Sequence, residues 1–92
     1  MKFKAMKGCR RPVREQRYIW ALLGTWDSLP MDRRAELRRI ISAVCGDDIE
    51  ERAHFDVLIR KKEAAAVAAR TGITARRLYD LRCRFYERVE IR

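Results

Sequence analysis

Glycine and proline are scarce in this 92-residue chain, with four and two respectively, so long stretches carry nothing that would break a helix. β-Branched residues nowhere alternate with polar ones between turn signals, which excludes a sheet as the organising element. No apolar run approaches the roughly 20 residues of a membrane span. The opening MKFKAMKGCRRPVR is charged but lacks the apolar centre of a signal peptide. The three cysteines, Cys9, Cys45 and Cys83, are odd in number and far apart. That spacing excludes a disulfide framework and fits a reducing compartment, so the expected location is the cytoplasm. With one histidine and no close cysteine pair, a zinc site has no ligand set. There is no phosphate-cradling glycine loop and no nucleophile elbow. The expectation is a protein with no metal, no cofactor and no catalytic residues, and so no enzyme. His54 lies two residues from Asp56, and such positions point to different sides of a helix, so His54 is expected on a helix surface.

Acidic residues are also in short supply. Lysine and arginine total 22 against 13 acids, a net charge of +9 and an isoelectric point near 10.2. A field of that sign draws in polyanions, of which nucleic acid is the commonest soluble one. Arginine outnumbers lysine, and its planar fork suits phosphates and guanine edges. Apolar residues make up 48%, ordinary for a folded domain. At this length the chain holds one domain with a thin core, expected to be all-α with four or five helices.

Residues 1–14 hold Lys2, Lys4, Lys7, Arg10, Arg11 and Arg14 with no acid, and read as a flexible basic arm ending near Pro12. The helical domain is expected over residues 15–92. Ile19, Leu22, Leu23 and Trp26 fall on one face of a first helix, which DSLP interrupts. Pro30 can open a second helix with Leu37, Ile40, Ile41 and Val44 inside, and Gly46 sits where a left-handed C-terminal residue is wanted. Asp47 or Asp48 can cap a third helix, with Glu50 and Glu51 in its positive first turn and Phe55, Leu58 and Ile59 on its apolar side. These four acids form the one acidic patch and are expected to be a cap and a solvated face. The end of the third helix is open, since RKKEAAAVAART contains no breaker. Trp20 and Trp26 are expected in the core. Trp20 lies at the edge of the first helix's stripe, which leaves room for a homodimer surface.

Gly72 anchors the most informative stretch. Val67 and Ala68 precede it by about a turn, and the small Ala68 lets a second helix cross closely. Gly72 can take the positive φ of a tight inter-helix turn, Ile73 plugs the turn, and Thr74 can cap a last helix with Leu78, Leu81 and Phe85 as its stripe. These spacings match a helix-turn-helix at about 63–90. Thr71 departs from the pattern, since an apolar residue is commoner just before the glycine. The outer face of the last helix then carries Ala75, Arg76, Arg77, Tyr79, Asp80 and Cys83, with Cys83 open to solvent. In a helix-turn-helix the N-terminal half of the second helix meets base edges, so Arg76 and Arg77 would reach guanine or phosphate and Tyr79 phosphate or a thymine methyl. Arg82, Arg10, Arg11, Arg38 and Arg39 are candidates for further DNA contacts, as are Arg33 and Arg34. A helical hairpin with solvated arginines would show the same pattern.

The pieces SLPMDRRAELRRII (28–41) and VAARTGITARRLYDLRCRFYERV (67–89) resemble region 4 of bacterial sigma factors and the related phage late-gene regulators of the ArpU type. The resemblance spans roughly residues 18–90. It implies a helix-turn-helix regulator of phage or mobile-element origin that binds double-stranded DNA, with Thr74, Arg76, Arg77 and Tyr79 at recognition-helix positions. IRKKEAA departs from the pattern by lacking a glycine turn. A second reading stays open: a basic module that docks on a protein such as RNA polymerase or a CRISPR effector, its arginines meeting an acidic surface.

Overall fold

A computed structural model describes residues 3–91, and the expected arm residue Lys2 lies outside them. The described chain is all-α: α1 (Val13–Gly24), α2 (Met31–Val44), α3 (Asp48–Leu58), α4 (Ala64–Thr71) and α5 (Ala75–Arg88), with a short 3₁₀ turn at Trp26–Ser28. Both prolines stand just ahead of helices, at the N-cap positions of α1 and α2, where φ near −60° feeds the chain into the first turn. Asp47 caps α3 by accepting the Glu50 N–H at 2.8 Å. Glu50 answers by accepting the Gly46 N–H at 2.8 Å, one residue ahead of the cap, so the two acids tie the start of α3 to the turn before it. Gly46 therefore serves as a donor beside Glu50. It has no positive φ, which corrects the expectation of a left-handed end to α2; that helix closes instead on an extended Cys45.

The end of α3, open in the sequence, is a turn built on lysine. Lys61 takes φ 57°, and the Lys62 N–H reaches back six positions to the Asp56 carbonyl at 3.1 Å, one position further than the bond of a Schellman turn. Glycine usually occupies the left-handed position here, and a side chain there costs about 1–2 kcal/mol. At the end of α4, Gly72 does take the left-handed conformation, with φ 80° and its N–H on the Ala68 carbonyl. Thr71, out of place by pattern, has a local task. Its hydroxyl donates to the Val67 carbonyl at 2.8 Å and accepts the Ile73 N–H at 3.2 Å, tying the helix end to the turn that follows.

Two apolar clusters hold the helices together. The larger joins Ile19 and Leu23 of α1, Trp26, Leu37 and Ile41 of α2, Leu58, and Leu81, Phe85 and Tyr86 of α5. The smaller consists of Ala53, Val67 and Leu78, with Val57, Ala68 and Ile73 around it, and seats α4 against α3 and α5. Arg70 adds an ion pair to Asp56 of α3 at 2.8 Å. His54 is fully buried, contrary to the surface position expected for it, with its ring edge-on to Phe85 and its Nδ1 3.7 Å from Cys45 Sγ. His54 lies on the face of α3 that turns, with Ala53 and Leu58, into the domain, while Asp48, Ile49 and Arg52 keep the other face in solvent.

The N-terminal residues are the largest departure from expectation. Residues 3–12 lie packed across α1 and α5, where a free arm was expected. Met6 is buried in the main cluster, and its N–H donates to the carboxamide of Gln16, itself buried, at 2.9 Å. Arg11 donates from Nε to the Tyr86 carbonyl at 2.9 Å and also to the Val89 carbonyl, and pairs with Glu15 at 2.8 Å. By satisfying two carbonyls at the end of α5 and anchoring on two side chains of α1, this segment becomes a strap.

Candidate nucleic-acid interface

Thr74 sets the start of α5 by accepting the Arg77 N–H at 3.0 Å. The side chains of the first turn then diverge by about 100° per residue. Arg76 points outward, its side chain 86% exposed, with Asp80 one turn on at 3.6 Å. Arg77 turns the other way. Its Nε and Nη2 fork onto both oxygens of Glu50 at 2.8 and 3.1 Å, tying α5 to the cap of α3. The guanidinium holds the Glu50 carboxyl below its ordinary range, and Glu50 in turn raises Arg77. The two arginines read as a pair in the sequence are therefore separated: Arg76 faces solvent, and Arg77 is engaged within the protein.

The strap crosses the outer face of α5 beyond this first turn. The Tyr79 hydroxyl donates to the Lys7 carbonyl, the Cys83 thiol meets Met6 Sδ at 3.8 Å, and Glu87 accepts the Arg10 N–H at 2.8 Å. Positions 79, 83 and 87 form one i, i+4, i+8 stripe, and the strap lies along it. Cys83 is accordingly half-covered, where an open position was expected. Burial raises its thiol pKa, with nearby Cys9 adding to the shift. Gly8, at φ 83°, supplies the bend that keeps the strap on this path, and an added Cβ there would meet nothing within 4 Å.

Strap and helix together line one open groove. Lys4, Lys7 and Arg10 come from the strap, and Arg76, Arg82 and Arg84 from α5; the carboxylates in it are Asp80 and Glu87. Ala75 and Thr74 are exposed at its leading end. The arginines of α2 do not join it. Arg38 stacks over Phe55 at 4.5 Å and Trp26 at 5.5 Å, beside Asp48 and Glu51, whereas Arg39 sits with Glu36, Ile40 and Arg88. Arg33 is committed to Glu36. Arg11 is likewise spent on the backbone of the last turn. Only the i, i+3 spacing of Arg33 and Glu36 was visible in the sequence; the other assignments depend on which distant element lies alongside. Among the described residues no group of three or more histidine, cysteine or acidic side chains could hold a metal ion, and no helix is long and apolar enough to cross a membrane. Comparison with protein families, with curated proteins and with solved structures gives no match to this chain, so its chemistry is read from its own residues.

Proposed function

We propose that the chain is a cytoplasmic transcription regulator, of phage or mobile-element type, that binds double-stranded DNA through α4, the Gly72 turn and α5 acting as a helix-turn-helix. The observation that carries this is the groove in which six cations from strap and helix face two carboxylates. A cationic channel of that kind attracts a phosphate backbone, and releasing the condensed cations makes binding favourable. The first turn of α5 is the part free to enter a major groove. Arg76 is the candidate for guanine or phosphate, and Ala75, small and exposed, lets the helix approach base edges. Lys4, Lys7 and Arg10 would follow the flanking backbone. Arg77 supports the reader from behind by fixing α5 on α3, and Tyr79 does so by fixing the strap.

The test is a gel shift on random and selected duplexes over a salt series. About four to five neutralised phosphates give a slope of log K against log salt near −4. Arg76→Ala should lose about 1–3 kcal/mol on a selected duplex and relax sequence preference. A protein that shifts no duplex at about 50 mM salt, the low end of such titrations, is no DNA binder, and the groove would then be a face for an acidic protein.

A further inference from the structure

A smaller cleft, of about 200 Å³, opens on another side of α5, where α1 and the α3–α4 turn meet it; Trp20, Leu58, Lys61, Ala64, Arg82 and Tyr86 line it. Two of its three cations, Lys61 and Arg82, have no ion-pair partner among the described residues. Lys61 Nζ rests 4.9 Å from the centroid of the Trp20 ring and the Arg82 guanidinium 5.5 Å from that of Tyr86. Among the described residues neither has a carboxylate within ion-pair distance, although neighbouring Lys62 reaches Asp56 at 3.8 Å. Glu63 stands exposed at the rim and pairs with neither. Burial, and then the charge of Arg82, bring the Lys61 amine down to about 8. Two half-buried cations held together against their own repulsion are a cost to the fold that an anion would remove.

The start of α4 faces the same place. Glu63, in the N-cap position, makes no side-chain cap, and Val67 is the first residue of the helix whose N–H finds a carbonyl, that of Glu63 at 3.1 Å. The N–H groups of Ala64, Ala65 and Ala66 thus stand without a protein acceptor at the positive end of a helix. The Tyr86 hydroxyl is buried, with the Arg82 guanidinium as its polar neighbour. Lys61 itself is held at φ 57°, a strained conformation for a side-chain-bearing residue. Open amides, two neighbouring cations and local strain converge on one cleft.

We propose that this cleft is a binding site for an oxyanion of the phosphate class, gripped by Lys61, Arg82 and the first amides of α4. Its volume lies below that of drug-sized pockets and admits a small group only. The group belongs either to a free phosphate-bearing ligand or to the backbone of a duplex. The inference does not rest on DNA binding, because the first measurement contains no DNA.

Inorganic phosphate is titrated into the ¹⁵N-labelled protein against sodium chloride of matched ionic strength. Saturating shifts are expected at the amides of Ala64, Ala65 and Ala66 and at the Trp20 indole. Lys61→Met and Arg82→Met should each weaken phosphate roughly tenfold, the scale of one charge-assisted contact. Arg76→Met removes the same charge elsewhere and should leave the affinity unchanged. Ala64→Pro deletes one donor without touching charge or fold. Proline suits the first position of a helix, and Glu63 already holds the extended ψ of 130° that a following proline requires. It too should weaken phosphate, and it decides the matter if the Met variants fold poorly. A short duplex added to Lys61→Met then separates the sources: lost DNA affinity assigns the backbone phosphate, and unchanged DNA affinity a free ligand. Shifts that chloride reproduces, that fail to saturate, or that Arg76→Met and Ala64→Pro affect in the same degree would mean a diffuse ion cloud and overturn the site.

Discussion

Acidification should unfold this protein through His54. Its imidazole is wholly buried, its Nε2 has no hydrogen-bond partner, and Nδ1 meets a cysteine sulfur. Burial, reinforced by the charge of Arg82 and opposed by Glu50, lowers its pKa from 6.5 to about 4. A depressed histidine pKa means that the unfolded chain takes up a proton before the folded one does. Above pH 6.5 the group is neutral in both states and contributes no pH dependence. Between 6.5 and 4 the unfolded state gains, and below 4 the difference levels off. A gap of about 2.5 units corresponds to about 3 kcal/mol in full, and about 2 kcal/mol is already lost at pH 5. That is a large share of the stability of a small domain. Urea unfolding at pH 7 and pH 5 measures it, with His54→Leu as reference, since leucine fills the site without a titrating group. The wild-type midpoint should fall by about 1–2 M, given a slope near 1–2 kcal/mol per M, while the variant's midpoint moves little. Glu50 contributes in a lower window: its carboxyl, held down by Arg77, gives stability above its ordinary range that is lost as pH falls through its depressed folded value. Parallel losses in wild type and variant over pH 7 to 5 would refute the buried neutral histidine.

Two further expectations concern α5. Gly72→Val should lower stability by about 1–2 kcal/mol, read as a denaturation midpoint, and the loss is purely conformational because an added Cβ meets nothing within 4 Å. A double-mutant cycle on Arg77→Ala and Glu50→Ala should give a coupling of about 1 kcal/mol or less, shrinking at high salt because the Arg77 side chain is 35% exposed; a coupling that ignores salt would mean that the pair is held by packing.

The fold class, the helix faces and the capping of α5 were legible because they are local. A period of 3.6 marks Leu78, Leu81 and Phe85, Thr74 is a cap by its chemistry, and Gly72 has the conformational freedom its turn requires. Two turns misled for the same local reason. Gly46 offers left-handed freedom that the chain does not use, and Lys61 supplies it without being glycine, under the pull of tertiary packing. Long-range partnership was hidden. Nothing near Arg77 in sequence indicates Glu50, 27 residues away. Nothing near Arg11 indicates Tyr86 and Val89. Arg11 pairs with Glu15 one turn on, yet backbone carbonyls at the far end of the domain bind it as well. For His54, burial follows from α2 and α5 closing on a helix whose own sequence is largely polar.

The strap also imposes an order on how the domain is made. Met6, Arg10 and Arg11 find their partners on α1 and on residues 83–89, and α5 contributes Leu81, Phe85 and Tyr86 to the main cluster. Synthesis delivers α5 after α1 to α4. Until it emerges, α1 and α2 lack the surface they pack on, and the strap has no bed. The contact spanning the greatest sequence separation, Arg11 to Val89, closes a loop of 78 residues, and closure entropy makes such contacts late ones. The nascent chain should therefore pass through a stage in which its basic N-terminal segment is exposed and unattached, open to any polyanion nearby, before the last helix arrives to fasten it down.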